Sequence, residues 1–572
     1  MDAPDKYSHR LPSQNVRRIF GPHTQPFWLM RLGQVLSGIA AVVLCAACSP
    51  RVVPAQSPDA GTEHPALVVL ITVDQFRGDY LDRFGSQFTG GLKRFRTESA
   101  LFPHAIQDHA ITETAPGHST LLSGREPAHT GIIDNEHGVP DPGMPLIGGV
   151  NGPGASPRRF VGTELFDWMR ARDSKARVLS VSRKDRGAIL PVGRAKGDVY
   201  WFGAGGFTTS KYYADKLPAW VQKFDEEMSF DHLAGTQWDL LLPRDQYPEP
   251  DTVWAENGGV DFIFPHVLPS ADALRLRIPA YPWMDSLTLA FALDGVHELD
   301  LGKRALQTSP SSNTMPDLLT ISLSTTDAIG HAFGPDSREL HDQVLRVDRW
   351  LGQFLDSLQR QVPANRMVVV LTSDHGVSPI PEATEGGGPG GRVWLGDIAD
   401  SVEVSLERKH HVQFDVYFGN GLFFGDLATL KDRHVNVDSL SDAILAAAIK
   451  RDGVRAGFTR RTLPTSDDSG AVRWRRTLPA NFGWLTAMVA KPDFVWSDRV
   501  IAEHGAPNAQ SMSIPIAFMG PGISTGRYDR QVRSVDIAPT LAALLGIKPS
   551  ERLDGVTIPE ALADKSKAAE NK

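Results

Sequence analysis

The sequence predicts an α/β fold with a mainly parallel central sheet, helices on both of its faces and an inserted cap region. Three observations carry this. Short branched runs recur at Leu67 to Val73, Arg177 to Val181, Leu318 to Leu323, Met367 to Leu371 and Ile514 to Phe518. They lack polar alternation, as strands buried on both faces do. Segments of helical period lie between them, and strands alternating with helices imply parallel strands joined by crossovers.

In chain order, residues 1–48 read as a leader. Its apolar run VLSGIAAVVLCAAC is too short for a membrane span and has the length of a signal-peptide core, with Met30-Arg31 as a natural start. Ala46-Ala47-Cys48 resembles the end of a bacterial lipoprotein signal, which makes Cys48 the lipidation candidate, although Cys45 is an unusual occupant three positions earlier. The expectation is export to the periplasm, with a membrane contact only through a lipid anchor at Cys48. No cysteine follows Cys48, so no disulfide staples the rest, and a metal there would need His, Asp or Glu.

Residues 49–65 are polar and Pro-rich, a linker, and a catalytic domain is expected over 66–560. Its clearest helix spans Asp336 to Arg360, where Leu340, Val344, Val347, Leu351, Leu355 and Leu358 form one apolar stripe. Residues 200–285 break the rhythm with aromatics, Gly and Pro, and read as a cap in which Trp201, Phe202, Phe207 and Tyr212 could line an apolar pocket. A smaller α+β insertion is expected over residues 395–490. In it, VQFDVYFGNGLFF alternates around Gly419-Asn420-Gly421 and predicts a hairpin. EGGGPGG at 385–391 lacks the Lys-Ser or Lys-Thr of a P-loop and reads as a flexible loop, and the charged tail 561–572 reads as frayed.

Composition narrows the function. The 572 residues suffice for roughly three to four domain-sized units. With 41% hydrophobic and 22% charged residues the chain is too apolar for a disordered protein. The 59 basic and 67 acidic residues leave a net charge of −8, which excludes a general nucleic-acid binder held by phosphate contacts.

Open α/β sheets bind ligands at the carboxyl ends of their strands. Asp74 ends the first run; Asp327 follows LLTISLSTT, with His331 four residues on; Asp374-His375 ends VVVLTS. His504 stands in EHGAPN, ahead of IPIAFMG. Three carboxylates and three imidazoles suffice for two divalent metals with three protein ligands each. TETAPGHSTLLSG at 112–124 adds a hydroxyl: Pro116 in a first helical turn puts Thr114 at the N-cap, where a metal could activate it as a nucleophile. VSRKDRGAILPVG at 181–193 places Lys184 and Arg186 on one side of a strand. His109, His118, His129, His137, His410 and His411 lack such placement and read as ordinary histidines.

Asp74, TETAPGH, Asn135 in GIIDN, Asp327 with His331, Asp374-His375 and His504 together resemble the alkaline phosphatase superfamily, in its threonine-nucleophile branch. That branch includes the nucleotide pyrophosphatase/phosphodiesterases and the phosphate-irrepressible alkaline phosphatases of bacteria. The resemblance implies an alkaline phosphatase-like fold with two zinc ions, one held by Asp74, Asp374 and His375 and the other by Asp327, His331 and His504. It implies Thr114 as the attacking group at the metals and Asn135 as an amide donor to a phosphoryl oxygen. Lys184 and Arg186 resemble the Lys-x-Arg pair of the monoesterases, which the diesterases lack. The implied protein is a monomeric hydrolase of small phosphate monoesters acting through a phosphothreonine, with a phosphodiesterase or nucleotide pyrophosphatase as the alternative. His and carboxylate ligands also suit manganese or iron.

Overall fold

The structure, a computed structural model, describes residues 64–308, 313–383 and 390–563. The leader, nearly all of the linker, most of the EGGGPGG loop and the tail after 563 lie outside the described residues.

Leu67–Val73 forms the centre of a nine-stranded sheet. It pairs in parallel with Asp317–Leu323 on one side and Met367–Thr372 on the other. The full order is Gly526–Arg527, Ala100–Ile106, Ser513–Met519, Met367–Thr372, Leu67–Val73, Asp317–Leu323, Val178–Ser182, Asp198–Phe202, Phe207–Thr208. Ser513–Met519 runs antiparallel to both neighbours, so the sheet is mixed though mostly parallel. All seven residues of the central strand are buried because side chains alternate between two covered faces. Leu67, Val69, Ile71 and Val73 join a core with Trp283–Glu298 and Arg338–Gln359, whereas Val68 and Leu70 join one with Leu165–Arg172 and Ile537–Leu545.

The long helix begins where Ser337 caps it, its Oγ accepting the Leu340 N–H at 3.1 Å, and its apolar stripe is buried. The aromatics expected to line a cap pocket are placed otherwise. Trp201, Phe202 and Phe207 are buried core residues on the last strands of the main sheet, with Phe207 stacked on Phe291 at 3.9 Å. The Tyr212 hydroxyl donates to the Arg194 carbonyl and its ring faces Lys196. Burial took them because branched and aromatic residues suit a sheet edge covered by a helix.

A second, four-stranded antiparallel sheet has the order Val416–Gly419, Leu422–Gly425, Trp484–Ala490, Val454–Thr459. Its first two strands form the expected hairpin. Asn420 and Gly421 turn it with φ of 51° and 81°, as a tight two-residue turn requires.

Candidate active site

The expected metal ligands emerge at one edge of the main sheet. Asp74 directly follows the central strand, and Asp374-His375 follow its neighbour Met367–Thr372. Asp327 and His331 lie one turn apart on the helix Thr325–Phe333, beyond the third strand. His504 precedes a strand rather than following one, yet it reaches the same edge because Ser513–Met519 is antiparallel.

Two expectations change here. The N-cap of the helix Thr114–Leu121 is Glu113, and Thr114 is its first residue. Lys184 and Arg186 are not on a strand: the strand stops at Ser182, Lys184 caps the helix Asp185–Ile189, and Arg186 sits in its first turn. Asp185 favours a helix start there, and Gly187 packs where a Cβ would lie 2.6 Å from Ser182 Oγ.

The cluster is buried. Asp327, His331 and His504 bring one ligand atom each within 4.8 Å of one another, as do Asp74, Asp327 and His375. Asp374 Oδ2 stands 3.6 Å from His375 Nε2, so it borders the second group. The imidazoles are held alike: His331 Nδ1 is 2.7 Å from the Ala502 carbonyl, His504 Nδ1 2.8 Å from that of Thr112, and His375 Nδ1 2.9 Å from that of Gly376. A carbonyl only accepts, so each Nδ1 carries hydrogen, and Nε2 is the ring atom that faces the cluster and would offer a metal its lone pair. The Nε2 atoms of His331 and His504 approach to 3.0 Å, an arrangement that a shared cation stabilises. No backbone N–H among the described residues reaches either oxygen of Asp74, whose neighbours are Lys184 Nζ at 2.6 Å and His375 Nε2 at 3.6 Å. These residues fit two bound metal ions.

Burial and the neighbouring Asp374 carboxylate push Asp74 up. Burial also works against charge on Asp327, but Lys184 and His331 outweigh it and hold that carboxyl well below its usual range. Burial pulls His375 and His504 down to about 4, whereas at His331 burial is outweighed by the Asp327 carboxylate, which lifts the imidazole to about 9. Three buried carboxylates crowded together demand positive charge. Lys184 supplies some of it, with Nζ also 2.8 Å from Asp327.

Thr114 Oγ1 is buried, accepts from Lys184 Nζ at 3.0 Å and lies 3.5 Å from His375 Nε2. Asn135 stands beside it: its Oδ1 accepts the Ala115 N–H at 3.0 Å, which orients the amide. Arg186 does not join the inner cluster. Its guanidinium lies 3.6 Å from Asp185, and its Nε is buried without a hydrogen-bond partner among the described residues.

Several participants escaped the sequence analysis. His118, read as ordinary, is fully buried with Nδ1 3.2 Å from Asp374 and Nε2 3.1 Å from Ser322; its place one helical turn after Thr114 was the available signal. Gln75, at φ 64°, donates its backbone N–H to Asp374 at 3.2 Å and its Nε2 to Asp327 at 3.1 Å. Arg183 brings a further cation to 3.8 Å from Asp327. Asp285 accepts from Thr325 N and Oγ1 and from Gln343 at 3.1, 2.9 and 2.8 Å, anchoring the helix that carries Asp327. Burial raises Asp285 to about 6.

A mostly parallel sheet with a His/Asp cluster that could hold metal ions and a buried threonine at its carboxyl edge is the arrangement of a hydrolase of the alkaline phosphatase superfamily. Residues 68–415 match the type I phosphodiesterase / nucleotide pyrophosphatase family, and the chain belongs to it. Alkaline phosphatase PhoV of Synechococcus elongatus is 29% identical over 87% of this chain and 93% of its own length. A Myroides odoratus protein named calcium-transporting ATPase is 30% identical over 87% of this chain and 95% of its own. The crystal structure of alkaline phosphatase PafA superposes with a TM-score of 0.78 at 27% identity, covering 88% of this chain and all of that one.

Proposed function

We propose that the protein is a phosphomonoesterase that works through a covalent phosphothreonine at Thr114, with two zinc ions in the cluster. The observation that carries this is the Thr114 hydroxyl, buried between Lys184 Nζ and His375 Nε2 beside both ligand groups. Asp74, Asp374 and His375 would hold one ion and Asp327, His331 and His504 the other. Bound there, the ions would supply Lewis-acid stabilisation of the attacking and departing oxygens.

The chain's residues do the rest. Thr114 Oγ1 gives its proton to solvent and attacks phosphorus in line; a P–O bond forms to Thr114 as the bond to the leaving oxygen breaks, and the departing alkoxide takes a proton from solvent. Lys184 donates to Oγ1 and favours its ionised form. The Asn135 amide is oriented through its Oδ1 and offers its N–H group to a phosphoryl oxygen. The Nε of Arg186, without a hydrogen-bond partner among the described residues, gives a second donor to a dianionic group. Water then attacks the phosphothreonine, releasing phosphate and restoring the hydroxyl.

The family's name also admits diesters, and a comparison of an aryl phosphate with its methyl ester on the metal-loaded enzyme decides. Faster monoester turnover supports the proposal, and faster diester turnover refutes it. The apolar run ahead of Cys48 supports periplasmic export with a lipid anchor, which fractionation and mass measurement of the mature N-terminus test.

A further inference from the structure

We propose that Glu113 and Asn420 are positioning residues, through which the hairpin tip of the small sheet sets the place of Asn135 beside Thr114. Each carboxylate oxygen of Glu113 has its own task. Oε2 accepts the backbone N–H of Asn135 at 2.8 Å, and Oε1 accepts Nδ2 of Asn420 at 2.8 Å. Asn135 closes the ring by accepting the Ala115 N–H on Oδ1. Glu113 thus ties the residue before the nucleophile to a partner 22 residues away and to another 307 residues away.

The tip is itself held. A Cβ on Gly421 would lie 2.9 Å from the Trp496 ring. Gly505, next to His504, has φ 91°, and a Cβ on it would lie 2.4 Å from Asn420 Oδ1. The tip therefore seats against the same segment that delivers His504, whose neighbour Gly505 also donates its N–H to the Thr112 carbonyl at 3.1 Å. A second contact keeps the Asn135 segment against this sheet: the His137 ring packs edge-on to Phe424 at 5.5 Å and to Phe482 at 5.0 Å. A carboxylate that accepts two donors has fixed rotamers, and the groups bonded to it inherit its position. An amide aimed at a phosphoryl oxygen needs that, because small displacements of a donor cost rate.

The inference rests on the proposed roles of Thr114 and Asn135. Asn420→Gly tests it, since glycine keeps the left-handed backbone at φ 51° and removes only the amide. Asn420→Asp keeps the shape but faces Glu113 with a second carboxylate. Asn420→Gly should lower monoester kcat/KM by about tenfold, the weight of one buried hydrogen bond. Asn420→Asp should lower it at least as far, with metal content and melting temperature unchanged in both. The Asn135 amide hydrogen should exchange faster in both, and Asn420→Gly should cost nothing further in an Asn135→Ala background. Unchanged activity and exchange in Asn420→Gly, the same fold-loss in both backgrounds, or collapse of the fold in both variants would overturn the positioning role. If instead the wild type fails to hydrolyse monoesters, or Asn135→Ala is silent, the catalytic reading fails, and amide exchange alone then decides the Asn420 link.

Discussion

Thr114→Ala removes one buried hydroxyl and one methyl from the point where the proposed chemistry occurs. Because Glu113 is the N-cap, no N–H of the first helical turn depends on the hydroxyl. The hydroxyl's partner Lys184 keeps Asp74 at 2.6 Å and Asp327 at 2.8 Å, so the deletion leaves no buried charge unpaired. One lost methyl is worth about 0.8 kcal/mol, and one hydrogen bond whose donor stays satisfied about 1 kcal/mol. A destabilisation of about 1–2 kcal/mol shifts the midpoint of so large a chain by only a few degrees. The rate should fall by at least about 10³-fold, as loss of a covalent nucleophile demands, a change of about 4 kcal/mol in the barrier. Rapid quench with mass spectrometry of the 112–124 peptide should find phosphate on the wild type and none on the variant. Retention of more than a few per cent of the wild-type rate, with the fold intact, would falsify the nucleophile assignment.

Further outcomes follow from the same geometry. Chelation should inactivate the enzyme reversibly, and His504→Ala should lower metal content toward one ion per chain; undiminished metal content would remove His504 from the ligand set. Arg186→Ala should depress monoester hydrolysis by roughly 10² to 10³ and diester hydrolysis much less, whereas equal losses would make Arg186 structural. Asp285→Ala should destabilise the chain by about 2–4 kcal/mol by freeing Thr325 and Gln343, read as a shift in denaturant midpoint. His266, buried 2.9 Å from Glu339 and 3.4 Å from Asp261, is pulled down by burial but lifted by those two carboxylates to about 9, above its ordinary 6.5. Its stabilisation is therefore fully present below pH 6.5 and lost as pH rises through 9; thermal stability should fall across that window less in His266→Gln, and identical slopes would refute the pairing.

The carboxyl-edge residues were legible because a strand end is marked in sequence by the break from branched apolar to polar residues. That break placed Asp74, Asp327 and Asp374-His375, and the pairing of Leu67–Val73 with both neighbouring strands brings them together. His504 was readable only as a histidine ahead of a run, since strand direction is a tertiary property that local composition does not encode. The Lys184–Arg186 segment misled for a related reason. Two cations two positions apart suit a strand face, but the strand pairs Ser182 with Ser322 and Trp201 and then turns, so helix geometry separates the two side chains. Glu113, Gln75 and Asn420 carried no signal, because each acts through partners more than 20 residues away.

Charge explains why the site takes this form. Asp74, Asp327 and Asp374 are buried together at the carboxyl edge of the sheet, where Lys184 pairs with Asp74 and Asp327. Buried like charges are costly unless opposite charge is fixed among them, so the arrangement persists by holding cations. With cations bound as proposed, a phosphoryl group with two negative charges would be drawn by the same positive centre that the carboxylates require. A diester brings one charge fewer and replaces an oxygen that a donor such as Arg186 would meet. On the proposed function, monoester preference would come from cations placed outside the carboxylate cluster, and Arg186, whose Nε is buried without a hydrogen-bond partner among the described residues while Lys184 is engaged by Asp74, Asp327 and Thr114, would be the residue on which it turns.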